Sequence, residues 1–383
     1  MMIGLRKHKL RRPALVIALA SVACFVMIIT AYIYSTPTRT GSDKCNFYSS
    51  EGCRTRDLFP NDFSRELTDK EIESRVVVKD LLNYVPIQTN TPKVAFLFMT
   101  PGTLPFEKLW HLFFQGHDGR FSIYVHASRE KPVHFSRYFV GREIHSEPVS
   151  WGSFAMMEAE RRLLANALLD PDNQHFVLLS ESCIPIRHFE FVYNYLVFTN
   201  VSFIECFVDP GPHGNGRYIE HMLPEVEMKD FRKGSQWFSM KRQHAVIVIA
   251  DNLYFTKFKY YCRPNMEGGR NCYSDEHYLP TYFNMLDPGG ISNRSVTYVD
   301  WSEGKWHPRS FGAQHITYKL LKTLTSLNQS PHITSDSKRT VLITPCMWNG
   351  SKRPCYLFAR KFYPEALDKL MYLFANSTVS FGN

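Results

Sequence analysis

Short apolar runs alternate with amphipathic stretches through the middle of the chain. Four of these runs have the length of β-strands: 94–99, 121–127, 175–180 and 202–207. Helical patterns are predicted from about Leu104 and over 153–170, where Ser153 takes the N-cap position and apolar residues recur on one side. Strands that alternate with crossover helices predict an α/β fold with a largely parallel central sheet.

The N-terminal part of the chain has a different pattern. Residues 14–34 carry no charge over 21 positions, about the length that crosses a bilayer. The basic stretch 6–12 precedes them, which predicts by the positive-inside rule that the N-terminus is cytosolic and the remainder lumenal. A cleaved signal peptide is the alternative. The expected order is a cytosolic tail (1–13), a transmembrane signal anchor (14–34), a polar stem (35–90) with an amphipathic stretch at 67–82, and one large domain (91–383).

Composition supports a lumenal location and argues against nucleic-acid binding. The formal net charge is +9, but five of the positive charges lie in 6–12, before the apolar span. Eight of the nine cysteines follow that span, and an even number in an oxidising compartment predicts disulfides. Short separations favour three local pairs: Cys45 with Cys53, Cys262 with Cys272, and Cys346 with Cys355. N-glycosylation sequons occur at Asn200, Asn293, Asn328, Asn349 and Asn376.

Ligands of parallel α/β sheets bind beyond the carboxyl ends of the strands. The candidate loops therefore follow Phe98, His126, Ser180 and Phe207. The loop at Ser180 lacks the Asp-x-Asp motif with which many sugar-nucleotide enzymes hold a divalent ion. The one Asp-x-Asp, at 170–172, lies at a helix-to-strand turn on the opposite edge of the sheet. No metal site is predicted.

Two later segments carry candidate binding residues. The glycine-rich run 209–218 is interpreted as a flexible or substrate-shaping loop. In 232–242, Trp237 and Phe238 lie among four cations, a setting that fits stacking on a sugar face as well as a position in the core.

Asp275 and Glu276 form an acidic pair at the start of a predicted helix, 276–286. Pro280 restricts that helix to starting nearby or kinking there. Carboxylates in a first helical turn are favoured by the helix dipole alone. They are also the side chains that most simply serve as a general base.

Several segments together closely resemble the plant branch of the core-2/I-branching β-1,6-N-acetylglucosaminyltransferase family. They lie in this order along the chain: 151–170, 177–186, 232–238, 272–281, 298–308 and 357–362. The resemblance covers about residues 90–375. It implies a GT-A-like single catalytic domain, inversion at the anomeric carbon of a UDP-sugar, a Golgi type II membrane protein, and no metal cofactor.

The resemblance also implies roles for individual residues. Glu276 corresponds to the catalytic base, and Lys361 to the lysine on the donor diphosphate. Trp301 corresponds to an acceptor-side tryptophan, and Trp237 and Arg217 are further acceptor candidates. Arg353, shortly before Cys355, is the candidate for the partner arginine on the diphosphate, with Lys352 and Arg339 as alternatives.

The expected reaction is transfer of GlcNAc from its UDP donor to a glycan, glycoprotein or polysaccharide hydroxyl in β linkage. A glucuronosyl- or xylosyltransferase of the same layout is an alternative, and Arg217, Arg232 or Lys233 would then supply a cation for a uronate. A membrane-tethered sugar-binding protein without turnover is the alternative from another class. The presence of both Glu276 and Lys361 favours an enzyme.

Overall fold

The computed structural model describes residues 68–82, 91–266, 269–303 and 307–376. The predicted anchor at 14–34 and the predicted Cys45–Cys53 pair lie outside these ranges. Within them, no helix has the length and apolar character that crossing a membrane requires.

The described residues form an α/β fold. The strands are β1 Lys93–Thr100, β2 Phe121–Ala127, β3 Asn173–Ser180, β4 Ile184–Pro185, β5 Ser202–Glu205, β6 Ser239–Lys241, β7 Ile291–Asn293, β8 Thr297–Val299, β9 Gln329–Ile333, β10 Val341–Pro345, β11 Met347–Trp348, β12 Ser351–Lys352 and β13 Phe358–Arg360. The helices are α1 Asp69–Leu82, α2 Glu107–Phe114, α3 Ala155–Leu168, α4 Phe189–Val197, α5 Arg242–Ala250, α6 Leu253–Tyr261, α7 Ser274–Leu286, α8 Tyr318–Ser326 and α9 Leu367–Asn376.

The central sheet has six strands in the order β2-β1-β3-β6-β5-β7. β1 pairs in parallel with β2 and β3, and β5 pairs in parallel with β7. β6 is antiparallel to both of its neighbours. A smaller sheet has the order β4-β13-β8. The predicted class, an α/β fold with a largely parallel sheet, is confirmed.

An aromatic cluster fixes β1 against α2. Phe96 and Phe98 are fully buried. The Phe96 and Phe114 ring centroids are 4.9 Å apart, and those of Phe98 and Trp110 are 5.1 Å apart. Edge-to-face contacts of this kind add to the hydrophobic gain from burying the rings. They hold the centre of the sheet in place, and thereby the ends of the strands from which the loops extend.

Helix α1, from the segment predicted as stem, packs against α3. Val76 is buried. Arg162 Nε lies 2.7 Å from Asp69 Oδ2, and Arg161 Nη2 lies 3.3 Å from Glu73 Oε2. This part of the chain therefore contributes to the same core as the sheet.

Ser153 does not cap α3, which corrects the predicted N-cap. The cap residue is Phe154, without a side-chain hydrogen bond. The Ser153 hydroxyl instead donates to the Ser150 carbonyl at 2.7 Å. The helix starts one residue later than the predicted cap implies, because 150–153 form a tight turn of their own.

Two of the three predicted local disulfides fall in the described residues, and both are present: Cys262–Cys272 and Cys346–Cys355. Cys183 and Cys206, which were in none of the predicted pairs, are free and buried. Each has its own polar partner. The Ser180 amide donates to Cys183 Sγ at 3.3 Å, and Cys206 Sγ donates to the Pro280 carbonyl at 3.5 Å.

Candidate active site

The acidic pair lies in the first turn of α7, which begins two residues earlier than predicted. The Cys262–Cys272 disulfide joins the end of α6 to the segment before α7. Ser274 Oγ donates to the Cys262 carbonyl at 2.5 Å. Together these contacts fix the helix start, where the dipole favours the negative charge of Glu276.

Glu276 is paired with an arginine from the glycine-rich loop. Arg217 Nη1 lies 2.5 Å from Glu276 Oε2. The arginine side chain is 9 % exposed and the glutamate side chain 29 %, so the carboxylate reaches solvent while the guanidinium is enclosed. The Arg217 guanidinium also lies 4.7 Å from the centroid of the Tyr273 ring. Arg217, predicted to bind the acceptor, thus contacts the predicted base directly.

His277 contacts the same nitrogen of Arg217 that Glu276 does. Its Nδ1 lies 2.8 Å from the Arg232 carbonyl, which can only accept, so Nδ1 carries the hydrogen. Nε2 is then free to accept from Arg217 Nη1 at 3.3 Å. Burial, and after it the charge of Arg217, holds the pKa of His277 well below its usual range. The imidazole is therefore neutral and serves as a fixed acceptor.

Pro280 lies inside α7, which runs through it. Proline has no N–H to donate to the carbonyl four residues earlier, that of Glu276. The Gly234 amide donates to this carbonyl instead, at 2.9 Å. A Cβ on Gly234 would lie 1.9 Å from the Glu205 carbonyl oxygen and 2.8 Å from Pro280 Cγ, so only glycine fits this approach. The Gly234 hydrogen bond takes the place of the missing helix bond, and it ties the loop after Arg232 to Glu276.

The loop that carries Arg217 is fixed by Asp209. This carboxylate is 1 % exposed and accepts from the Gly211 amide at 2.9 Å. It also accepts from the amide and the hydroxyl of Ser335, both at 2.8 Å, in the turn between β9 and β10. Lys233 Nζ lies 3.5 Å away. These bonds make 209–218 a structured support for Arg217, which favours the substrate-shaping interpretation over a flexible loop.

Two further carboxyl groups lie behind Glu276. Glu160 on α3 is 2 % exposed and accepts from Gln236 Nε2 at 2.9 Å. Asp275 Oδ1 is buried and has no hydrogen-bond partner among the described residues. Burial raises the pKa of Glu160 well above its usual range. Burial, and after it the charge of Glu276, raises the pKa of Asp275 to about 7. Negative charge at this end of α7 is therefore concentrated on Glu276.

The raised pKa of Asp275 predicts a pH-dependent stability. The pKa of this carboxyl group is higher in the folded state than in the unfolded state. The free energy of unfolding therefore falls as pH rises from about 4 to about 7. We expect Asp275→Asn to remove this cost, so that the variant gains on the order of 2 kcal/mol over the wild type between pH 5 and pH 7. Urea denaturation of both proteins at the two pH values measures the difference. Equal pH slopes for the two proteins would contradict the prediction.

An open cleft of about 570 Å³ lies near the predicted diphosphate lysine. Its walls include Glu303, His307, Arg309, His315 and Tyr363. Arg309 Nη1 lies 4.0 Å from Asp300 Oδ2 and its Nε lies 3.8 Å from Glu303 Oε1, so an anionic ligand in the cleft would compete with two carboxylates for this guanidinium.

Lys361 and Trp301 belong to the segments that form this cleft. The Lys361 carbonyl accepts from the Phe311 amide at 2.8 Å, and the Tyr363 amide donates back to the Phe311 carbonyl at 3.0 Å. The strand end that carries Lys361 therefore runs beside the 307–315 wall. Trp301 is 44 % exposed. The Ser302 amide donates to Asp300 Oδ1 at 2.9 Å, which fixes the turn at Trp301.

Trp151 connects the cleft to the predicted base. Its ring centroid lies 5.6 Å from that of His307 and 5.3 Å from that of Tyr273. Tyr273 in turn stacks on Arg217. The neighbouring Gly152 has φ +70°, and a Cβ there would lie 2.8 Å from Tyr273 Cε1.

We expect Gly152→Ala to destabilise the protein by about 1–3 kcal/mol and to lower turnover, because the new methyl group displaces the Tyr273 ring that supports Arg217. Thermal unfolding and initial rates measure the two effects. Gly141→Ala is the matched control: Gly141 also has φ +70°, but nothing lies within 4 Å of its Cβ position. Equal losses in both variants would mean that backbone strain alone is responsible.

Trp237 and Arg353 lie elsewhere. Trp237 is 6 % exposed, and the Arg360 guanidinium lies 3.9 Å from its ring centroid, so its place is in the core. The Arg353 guanidinium lies 3.7 Å from the ring centroid of Tyr195 and donates to Thr199 Oγ1 at 3.2 Å. Tyr195 and Thr199 both precede the first residue of β5, whereas Glu276 lies beyond the last residue of that strand. The structure does not bring Arg353 to the base, and its diphosphate role stays a prediction.

The two alternatives to Arg353 are also outside the contacts that the described residues make with Glu276 and Arg217. Lys352 is exposed on β12, and Arg339 has a left-handed conformation, φ +46°, in the turn between β9 and β10. The Asp-x-Asp carboxylates Asp170 and Asp172 lie 3.0 and 3.5 Å from Lys93 Nζ. Across the described ranges, no three His, Cys, Asp or Glu side chains come together as a metal site.

Sequence reasoning missed Asp209, Tyr273 and Trp151. Asp209 opens the glycine-rich run, and Tyr273 directly precedes Ser274 in a segment that carried the family resemblance. Trp151 begins another such segment. Their positions around Arg217 and its loop depend on contacts between distant parts of the chain, which no local pattern encodes.

Comparison with known proteins decides the family. The model of the family described as Core-2/I-Branching enzyme matches residues 94–325. The chain belongs to the Core-2/I-branching enzyme family. A similar protein is Glycosyltransferase BC10 of Oryza sativa subsp. japonica, which is 35 % identical over 322 residues, 75 % of this chain and 78 % of the relative.

This Core-2/I-branching enzyme is therefore a glycosyltransferase, which uses a sugar donor and a glycan acceptor. The matched region contains Glu276, Arg217, Trp301 and the segment at Trp151. Lys361 and Arg353 lie beyond it.

Proposed function

We propose that this glycosyltransferase transfers a sugar from a UDP donor to a glycan hydroxyl in β linkage, and that GlcNAc is the first candidate for that sugar. The reaction inverts the anomeric carbon, and Glu276 is the base. The observation that carries the proposal is the Glu276 carboxylate, which reaches solvent at a helix N-terminus and is held by an enclosed arginine 2.5 Å away. This geometry fixes a carboxylate oxygen in one place beside a positive charge.

The chemistry needs one base. Glu276 takes the proton of the acceptor hydroxyl while that oxygen attacks the anomeric carbon from the face opposite UDP. The new glycosidic bond forms as the bond to UDP breaks, so the configuration inverts. The proton then passes from Glu276 to solvent, which its 29 % exposure allows.

The leaving diphosphate gains negative charge in the same step. Fixed cations at that position stabilise the transition state more than the ground state. We propose that Lys361 serves this purpose and that the neighbouring cleft, with Arg309 and His307, takes the anionic part of the donor. No divalent metal is required in this proposal.

We further propose a Golgi type II membrane protein with residues 14–34 as its anchor and the catalytic domain in the lumen. The Cys262–Cys272 and Cys346–Cys355 disulfides support an oxidising compartment.

The uronate-donor alternative has less support. Of the three cations considered for it, Arg217 is paired with Glu276 and Lys233 lies 3.5 Å from Asp209. Arg232 Nη1 donates to the Lys229 carbonyl at 2.6 Å. Each already has a protein partner.

The test is donor binding and turnover by the detergent-solubilised full chain with UDP-GlcNAc, UDP-glucuronic acid and UDP-xylose, each with and without EDTA. We expect one preferred donor and activity that survives EDTA. Binding of no donor would favour the sugar-binding protein without turnover. Loss of activity in EDTA would make Asp170 and Asp172, or Glu181 in the loop directly after Ser180, candidates for metal ligands.

A further inference from the structure

Trp151 contacts Tyr273 and His307, yet most of its apolar side chain is exposed to solvent. It is 65 % exposed, whereas Trp110 and Trp237 are 2 % and 6 % exposed. A tryptophan in water forgoes most of the free energy that burial provides. Its position therefore calls for a partner that covers the ring.

The ring is held rigidly. The Ser153 amide and hydroxyl donate to the Ser150 carbonyl at 3.1 and 2.7 Å, which closes the turn around Trp151. The Gly152 amide donates to Met156 Sδ at 3.3 Å and anchors the turn to the first residues of α3. The edge of the ring rests on Tyr273. A rigid aromatic surface loses little entropy when a ligand binds.

The ring also stands between the two parts of the candidate site. On one side Tyr273 leads to Arg217, and Arg217 pairs with Glu276. On the other side His307 forms a wall of the cleft beside Lys361. Trp151 is therefore linked by contacts to both parts of the site.

We propose that Trp151 stacks against the C–H face of a pyranose ring of the substrate and so sets its orientation toward Glu276. The proposal rests on the proposed function. The same stacking chemistry fits the acceptor sugar and the sugar of the donor, and the two arms of the experiment separate them. Aromatic side chains with a few polar groups beside them are the usual lining of small-ligand sites.

The experiment compares wild type, Trp151→Ala and Trp151→Tyr as detergent-solubilised full chains. The donor arm measures the affinity of UDP-GlcNAc relative to that of UDP. The acceptor arm measures saturation-transfer NMR and affinity with methyl β-D-galactopyranoside. Phe198→Ala is the matched control, since Phe198 is 67 % exposed but follows α4, away from Glu276.

We expect Trp151→Ala to weaken binding about 10-fold in one arm, with loss of saturation transfer to the sugar ring. Trp151→Tyr should restore part of it, and Phe198→Ala should change neither arm. A loss confined to UDP-GlcNAc identifies the donor sugar, and a loss confined to the galactoside identifies the acceptor. Unchanged binding in both arms, or no detectable contribution of either sugar to wild-type binding, would overturn the proposal.

Failure of the proposed function can be distinguished from failure of the Trp151 proposal, because both arms measure binding and require no turnover. If Glu276→Gln keeps full turnover, the assignment of the base fails while the Trp151 result stands. If Glu276→Gln loses turnover but Trp151→Ala binds both probes normally, only the stacking proposal fails.

Discussion

Glu276→Gln is expected to lower kcat about 10²- to 10⁴-fold in a protein that still folds. Glutamine keeps the size of the side chain and can accept from Arg217 through its amide oxygen, but it cannot take a proton from the acceptor. Because the Arg217 guanidinium is enclosed and loses its charged partner, the variant should also unfold at a lower temperature than the wild type, and rates are compared below both transitions. Initial rates with saturating donor, together with thermal unfolding, measure both.

Glu158→Gln provides a matched control for this variant. Glu158 also lies in the first turn of a helix and pairs with a cation, Lys259 Nζ at 2.7 Å, with 40 % of its side chain exposed. It should retain wild-type kcat. A Glu276→Gln protein that is folded and still turns over at the wild-type rate would remove Glu276 from the mechanism.

Lys361→Ala is expected to lower kcat about 10²- to 10³-fold, the usual loss when one fixed donor to a developing negative charge is removed. Lys361 follows β13 directly, and its carbonyl bond to the Phe311 amide fixes the strand end against the cleft. The backbone bond survives the substitution, so the fold should be retained. The kcat of the variant and its affinity for UDP are the two measurements.

Lys361→Arg should keep more activity than Lys361→Ala, because it restores the positive charge without restoring the exact position of the ammonium group. Lys369→Ala, on the exposed side of α9, is the control and should behave as wild type. If the alanine variant binds UDP and turns over normally, the diphosphate is stabilised by other groups, and Arg309 in the cleft becomes the first to test.

The sheet was predictable because its signal is local. The apolar runs at 94–99, 121–127 and 175–180 differ by only a few residues from the strands that form there. The start of α7 was less predictable, because a disulfide and the Ser274 hydroxyl set it. Pro280 argued for a break in that helix, but the Gly234 amide replaces the missing bond from outside the helix.

The roles of individual residues in the site were harder to predict from the sequence. Glu276 could be selected from its segment, but its partner Arg217 comes from a loop 59 residues earlier. Trp237 and Trp151 both follow polar residues and cannot be ranked from sequence, yet one is buried under Arg360 and the other faces solvent. Burial is decided by contacts between distant segments, and those contacts are a property of the assembled fold.

The hydrogen bond from the Gly234 amide to the Glu276 carbonyl makes one amide proton a reporter of the turn that carries Glu276. Helix amides exchange with deuterium when their own helix opens, whereas the Gly234 amide exchanges only when its loop separates from α7. Its exchange rate therefore records how often this loop separates from the turn that carries Glu276, and greater protection of this single amide on adding a substrate would show that binding stabilises the turn, without any measurement of product.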